Sequence, residues 1–159
     1  VCDLVSYAIG KGIDISFIEE MPLGRVDDHD RAEEYCSSDE IRQRLEAMFE
    51  LVPSSDSTGG PSRYYLVAHT GTRVGFISPH SQNFCATCNR VRVTAEGRLL
   101  LCLGNEHSVD LKAVLRNEAS DIEELKSAIV AAMAIKPERH HFDLQGEPII
   151  LRHMNATGG

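Results

Sequence analysis

Phe84-Cys85-Ala86-Thr87-Cys88-Asn89-Arg90-Val91-Arg92-Val93-Thr94 is the stretch from which the rest of the chain can be read, with Cys102 following it. Its cysteines are spaced C-x2-C-x13-C. Ala95-Glu96-Gly97 suits a three-residue hairpin loop, with Gly97 at the left-handed position. Thr94 then opposes Arg98, and the register carries Cys102 opposite Arg90, roughly 5 Å away between Cβ atoms. Side chains alternate along a strand, so Cys88, Arg90, Arg92 and Cys102 share one face and Val91 and Val93 take the other. A one-residue slip would destroy the arrangement.

Three clustered thiols fit three readings. A [4Fe–4S] cluster on Cys85, Cys88 and Cys102 leaves one iron open for a ligand. A structural zinc would take the same cysteines and a histidine, His80 being the nearest upstream. Buried, unmetallated cysteine is the third. Arg90 and Arg92 are fixed cations beside these thiols and suit a phosphate chain or a carboxylate.

Upstream, residues 2–11 place Leu4, Val5, Ala8 and Ile9 on one helical stripe, Gly12 stops the helix, and residues 13–18 alternate as a strand. A lone αβ half expects earlier repeats. The start at Val1 points the same way, toward a piece of a longer protein. Residues 19–24, which include Met21, read as a turn at the strand's carboxyl end, where α/β folds bind ligands. Residues 25–37 are charged and unpatterned. A helix begins at Glu40, capped by Ser38 or Asp39, with Ile41, Leu45, Met48 and Phe49 inward and Val52-Pro53 ending it. Residues 54–62 form a Ser/Gly/Pro loop lacking the lysine of a P-loop. Strands at 63–69 and 73–78 make a hairpin. Strands 89–94 and 98–103 make the cysteine hairpin. Helices follow at 110–115 and 121–136, the second with Ile122, Leu125, Ile129, Val130 and Met133 inward. Ile149 to Leu151 is a short strand.

The chain has 159 residues, net charge −8 and five cysteines. Acidity argues against nucleic acid and against a polybasic membrane surface. No apolar run approaches the ~18 residues of a membrane span, and no signal peptide is visible. An odd cysteine count without a secretory signal predicts reduced thiols and a cytoplasmic setting.

The stretches Phe17 to Gly24, Phe84 to Gly97, Cys102-Leu103 and Met154-Asn155-Ala156-Thr157-Gly158-Gly159 resemble the MoaA family, radical S-adenosylmethionine enzymes of molybdenum-cofactor biosynthesis that act as GTP 3′,8-cyclases. The resemblance implies an α/β fold: the last βα repeat of a partial TIM-type barrel at 1–24, then a C-terminal α+β domain with antiparallel hairpins at 25–159. It implies a [4Fe–4S] cluster on Cys85, Cys88 and Cys102, whose open iron meets the purine of GTP. It implies GTP contacts from Arg90, Val91 and Arg92, a contact between Met21 and S-adenosylmethionine, and a Gly158-Gly159 tail reaching the active site. The implied reaction begins with a 5′-deoxyadenosyl radical that takes hydrogen from C3′ of GTP, after which C3′ bonds to C8. The family's C-x3-C-x2-C motif for the radical-generating cluster is absent from these 159 residues. The chain alone is therefore expected to be inactive, and to work with the enzyme's barrel domain in a full-length homodimer. Many members carry arginine where Ser16 stands.

Overall fold

The computed structural model describes residues 1–24, 30–118, 121–140, 142–143 and 150–152. Two compact units emerge: Val1–Met21 with Arg31–Phe84, and Pro22–Asp30 with Cys85–Gly159. The described residues form an α/β fold with one mixed and one antiparallel sheet.

In the first unit, α1 (Cys2–Lys11) ends at Gly12, whose φ of 64° allows the left-handed cap. The strand β1 (Ile15–Ile18) follows. Then come the short α2 (Arg31–Glu34), α3 (Ser38–Glu46), β2 (Leu51–Pro53), β3 (Arg63–Val67) and β4 (Arg73–Ile77). The sheet order is β1-β4-β3-β2. β1 runs parallel to β4, with Ile15 opposite Val74 and Ile18 opposite Ile77. The other pairs are antiparallel. Val5, Ile41, Leu45, Val67, Val74 and Phe76 form the core, and Phe17 and Tyr65 pack against it.

Several sequence expectations are corrected here. The cap of α3 is Ser37, one residue earlier than expected. Its hydroxyl accepts from the Glu40 N–H while the Glu40 carboxylate accepts from the Ser37 N–H, a complete capping box. Met48 and Leu4 are exposed rather than inward. Val52-Pro53 does not merely end a helix. It lies in the edge strand β2, where proline's missing N–H can be tolerated.

The second unit opens with a 3-10 turn at Cys85–Thr87, then β5 (Arg92–Val93), β6 (Arg98–Leu100) and β7 (Ser108–Asp110) in sheet order. The helices α4 (Leu111–Arg116) and α5 (Ile122–Ala134) follow. Asp110 caps α4 and Asp121 caps α5. The core is Leu99, Leu101, Leu111 and Ala132, with Val109, Leu125 and Ala128 against it. This corrects the expected face of α5. Of the five residues predicted inward only Leu125 packs on that core, and Val130 is 70% exposed. Small alanines occupy the inner stripe, so the bulky residues misdirect a periodicity reading. Ile150 makes one parallel bridge with Leu23; Ile149 lies outside the described residues.

Gly97 closes the cysteine hairpin at φ 83°, and its carbonyl accepts the N–H groups of Leu111 and Lys112. A Cβ there would stand 2.7 Å from the Lys112 Cβ. Gly97→Ala is expected to destabilise the protein by about 2–3 kcal/mol through left-handed strain and overpacking, read from urea unfolding.

Candidate functional site

Cys85 and Cys88 flank a single tight turn, closed by the Cys88 N–H donating to the Cys85 carbonyl at 3.0 Å. The third cysteine returns through the hairpin. Arg92 pairs with Leu100 and Val93 with Leu99, the register expected from the three-residue loop. The regular ladder is shorter than expected and does not reach Arg90 or Cys102. Alternation nevertheless continues outward. Cys88, Arg90 and Arg92 are half-buried, while Val91 and Val93 are exposed, Val93 by 59%.

Each thiol has a hydrogen-bonding neighbour. The Arg90 guanidinium lies 3.9 Å from the Cys88 sulfur. The Gly104 N–H serves Cys102. Nδ1 of His140 lies 3.0 Å from the Cys85 sulfur. Burial by itself would raise the Cys88 thiol, but the Arg90 N–H, its guanidinium and the Lys136 charge outweigh burial and hold the group low. Burial pushes Cys102 up despite the Gly104 N–H and Lys136, and the neighbouring Cys85 and Cys88 add to the rise. The Cys102 thiol is therefore within electrostatic reach of Cys85 and Cys88. All five cysteines are free thiols.

The Lys136 ammonium donates to the carbonyls of Arg90 at 3.2 Å and Leu101 at 2.6 Å. Arg152 donates to the carbonyls of Leu103 and Asn105, and pairs with Glu106, so it fastens the loop that follows Cys102. No carboxylate pairs with Arg92 among the described residues.

Among the described residues no group of three ligating side chains is gathered tightly enough to hold a metal ion. The donor set still fits a thiolate-bound group by its chemistry: three free sulfurs of one unit, each with a hydrogen-bonding neighbour, beside cations that offset negative charge.

The Molybdenum Cofactor Synthesis C family model matches residues 13–142. The chain belongs to this family. The relatives it matches include proteins named GTP 3′,8-cyclase. That of Saccharophagus degradans is 61% identical over 157 residues, covering 99% of this chain and 47% of that protein. That of Pseudomonas entomophila is 62% identical over 160 residues, covering 100% and 48%. That of Marinobacter nauticus is 57% identical over 157 residues, covering 99% and 48%. The chain spans about half the length of the curated relatives it matches.

In this Molybdenum Cofactor Synthesis C chain the remaining expected site residues fall as follows. Met21 is half-buried just beyond the carboxyl end of β1. Gly158 and Gly159 lie outside the described residues. His80 points its Nε2 at the Glu20 carbonyl, 2.8 Å away, and packs edge-on to Tyr35. Within the second unit the histidine beside the thiols is His140. Ser16 sits opposite Gly75, where a Cβ would come 2.5 Å from its hydroxyl.

Sequence reading missed Lys136, His140 and Gly104 at the thiols. It also missed Glu19, read as part of a turn. Glu19 is 1% exposed and accepts hydrogen bonds from the N–H groups of Ser38, His80 and Ser81 and from the Ser81 hydroxyl. No helix of the described residues is long and apolar enough to cross a membrane.

Proposed function

We propose that this chain is the substrate-holding half of a GTP 3′,8-cyclase, which converts GTP with S-adenosylmethionine to (8S)-3′,8-cyclo-7,8-dihydroguanosine 5′-triphosphate. The observation that carries it is three half-buried free thiols of one unit, with the Arg90 guanidinium 3.9 Å from the Cys88 sulfur and Cys102 sensing the charges of the other two. Cys85, Cys88 and Cys102 would hold a [4Fe–4S] cluster, which when bound supplies a Lewis-acidic iron for the purine. Arg90 and Arg92 bind the triphosphate by charge-assisted hydrogen bonds, with Val91 between them at the nucleotide. Together these groups orient C3′ and C8 for bond formation. Met21 contacts S-adenosylmethionine, and Gly158 and Gly159 approach the substrate closely because neither carries a Cβ.

In this reading residues 1–24 belong to a radical S-adenosylmethionine barrel and 25–159 to the C-terminal domain, with β1 of the former pairing in parallel with β4 of the latter. The open edge of β1 supports this. β1 is terminal in its sheet and parallel to its neighbour, so a preceding βα repeat can extend it. The partner is the barrel half, in a homodimeric cytoplasmic enzyme.

The test uses the full-length enzyme carrying this chain, purified anaerobically and supplied with iron and sulfide. Replacing Cys85, Cys88 and Cys102 together by serine is expected to remove about four irons per chain and to abolish GTP binding at that iron. One zinc per chain bound through these cysteines, with no iron lost in the variant, would replace this reading with a structural zinc domain.

A further inference from the structure

We propose that Lys136 and His140, on the segment leaving α5, are positioning residues of the three-thiol site: Lys136 fixes the spacing of its two arms and His140 orients Cys85. This rests on the reading above.

The register that pairs Arg92 with Leu100 would next bring Arg90 opposite Cys102, but β5 begins only at Arg92. The ladder thus stops short of the residues the site uses. There the Lys136 ammonium takes over, donating to Arg90 on one arm and to Leu101 on the other. One cation replaces the missing rungs. Lys136 is not simply a helix-ending lysine. The last carbonyls of α5 are met by backbone N–H groups, Ala132 by that of Ile135 and Met133 by that of Lys136, and the Lys136 side chain turns to the hairpin instead. A lysine stem is flexible, so two bonds to the two separate arms of the hairpin mark a specific seat.

Four residues on, His140 reaches the Cys85 sulfur while its ring packs against Phe142, tilted by 33° with 4.0 Å between centroids. Gly104 makes room for that ring pair. A Cβ on Gly104 would lie 2.6 Å from the Phe142 ring and 2.8 Å from the His140 Cβ. A sulfur bound as thiolate can only accept, so Nδ1 of His140 donates to it. Donors to a ligating sulfur hold its direction and raise the reduction potential of the group it binds. The same segment thus governs both substrate grip, through the Arg90 backbone, and electron affinity, through Cys85.

The full-length enzyme, iron-loaded anaerobically, tests this with Lys136→Met, Lys136→Arg, His140→Phe and Gly104→Ala. Lys136→Met is expected to raise the Kd for GTP about tenfold, the scale of one charge-assisted hydrogen bond, and Lys136→Arg to restore most of it. His140→Phe is expected to lower the midpoint potential of the thiol-bound cluster in a redox titration followed by electron paramagnetic resonance. Gly104→Ala, which removes neither donor, is expected to lower that potential too by displacing His140. Wild-type affinity in Lys136→Met with wild-type potential in His140→Phe would overturn the inference. Equal iron loss in Lys136→Met and Lys136→Arg would also overturn it, since that reports folding alone. A wild-type enzyme that takes up no iron through these cysteines and binds no GTP defeats the earlier reading instead, whatever the variants do.

Discussion

Glu19→Gln is expected to destabilise the first unit by about 3–5 kcal/mol, measured by urea unfolding. The Glu19 carboxylate is a buried hub for backbone that is distant in sequence. One oxygen accepts from the Ser38 N–H and the Ser81 hydroxyl, the other from the N–H groups of His80 and Ser81. Glutamine keeps one accepting oxygen and turns an NH2 group toward donors, so buried N–H groups lose their acceptor. Burial alone would raise this carboxyl, yet the donors from Ser38, Ser81 and His80 outweigh it and hold it below the usual range. The adjacent Tyr35 phenol responds in the opposite sense. Its burial first, then the Glu19 charge, push it up to about 12. Because the folded carboxyl is depressed, its contribution is complete above the unfolded value of about 4.3 and is lost as pH falls through the folded one. Wild-type stability should therefore decline on acidification below about pH 4.5, and the glutamine variant should decline less steeply over the same window. Asp14, held low chiefly by hydrogen bonds from Arg73, leaves a residual slope in both proteins. An identical slope in the two proteins would remove Glu19 from the account.

Replacing Arg90 and Arg92 together by alanine is expected to weaken GTP binding by about 3–5 kcal/mol in calorimetry on the full-length enzyme, each alone contributing about 1.5–3. The two are on one face two residues apart, so a polyphosphate can meet both at once. Arg92 is expected to act through charge and fork geometry. Arg90 also touches Cys88 and carries the carbonyl that Lys136 holds. Arg90→Lys should thus recover only part of the loss, because lysine keeps the charge and gives up the planar fork. Full affinity in the double variant would reject the clamp.

The cysteine hairpin was legible because its determinants are local. A glycine at the αL position, a three-residue loop and strict alternation suffice to set the pairing of Arg92 with Leu100. The strand–turn–strand of β3 and β4 was legible for the same reason. What escaped depends on distant partners. Nothing around Lys136 reveals that its amine will meet Arg90 and Leu101, and nothing around Glu19 reveals three donors from other segments. Gly104 reads as an ordinary loop glycine until Phe142 and His140 are seen against it. The inner face of α5 was missed because Ala128 and Ala132, not the larger residues, meet the core. Ser37 had a visible signal, a serine three residues before Glu40, that the choice of Ser38 or Asp39 passed over.

The hairpin's turn also bears on the order in which the chain assembles. Loop-closure entropy grows with the length of chain enclosed, and contacts between near neighbours form fastest. Cys88 and Cys102 are joined by one short hairpin, whereas Ile15 must find Val74 across most of the first unit before β1 and β4 can pair. The thiols would gather early and the parallel rung late. Were these thiols to hold the proposed cluster, they would be in place to take up iron while the sheet is still open, and maturation would depend on oxygen being kept away during folding itself.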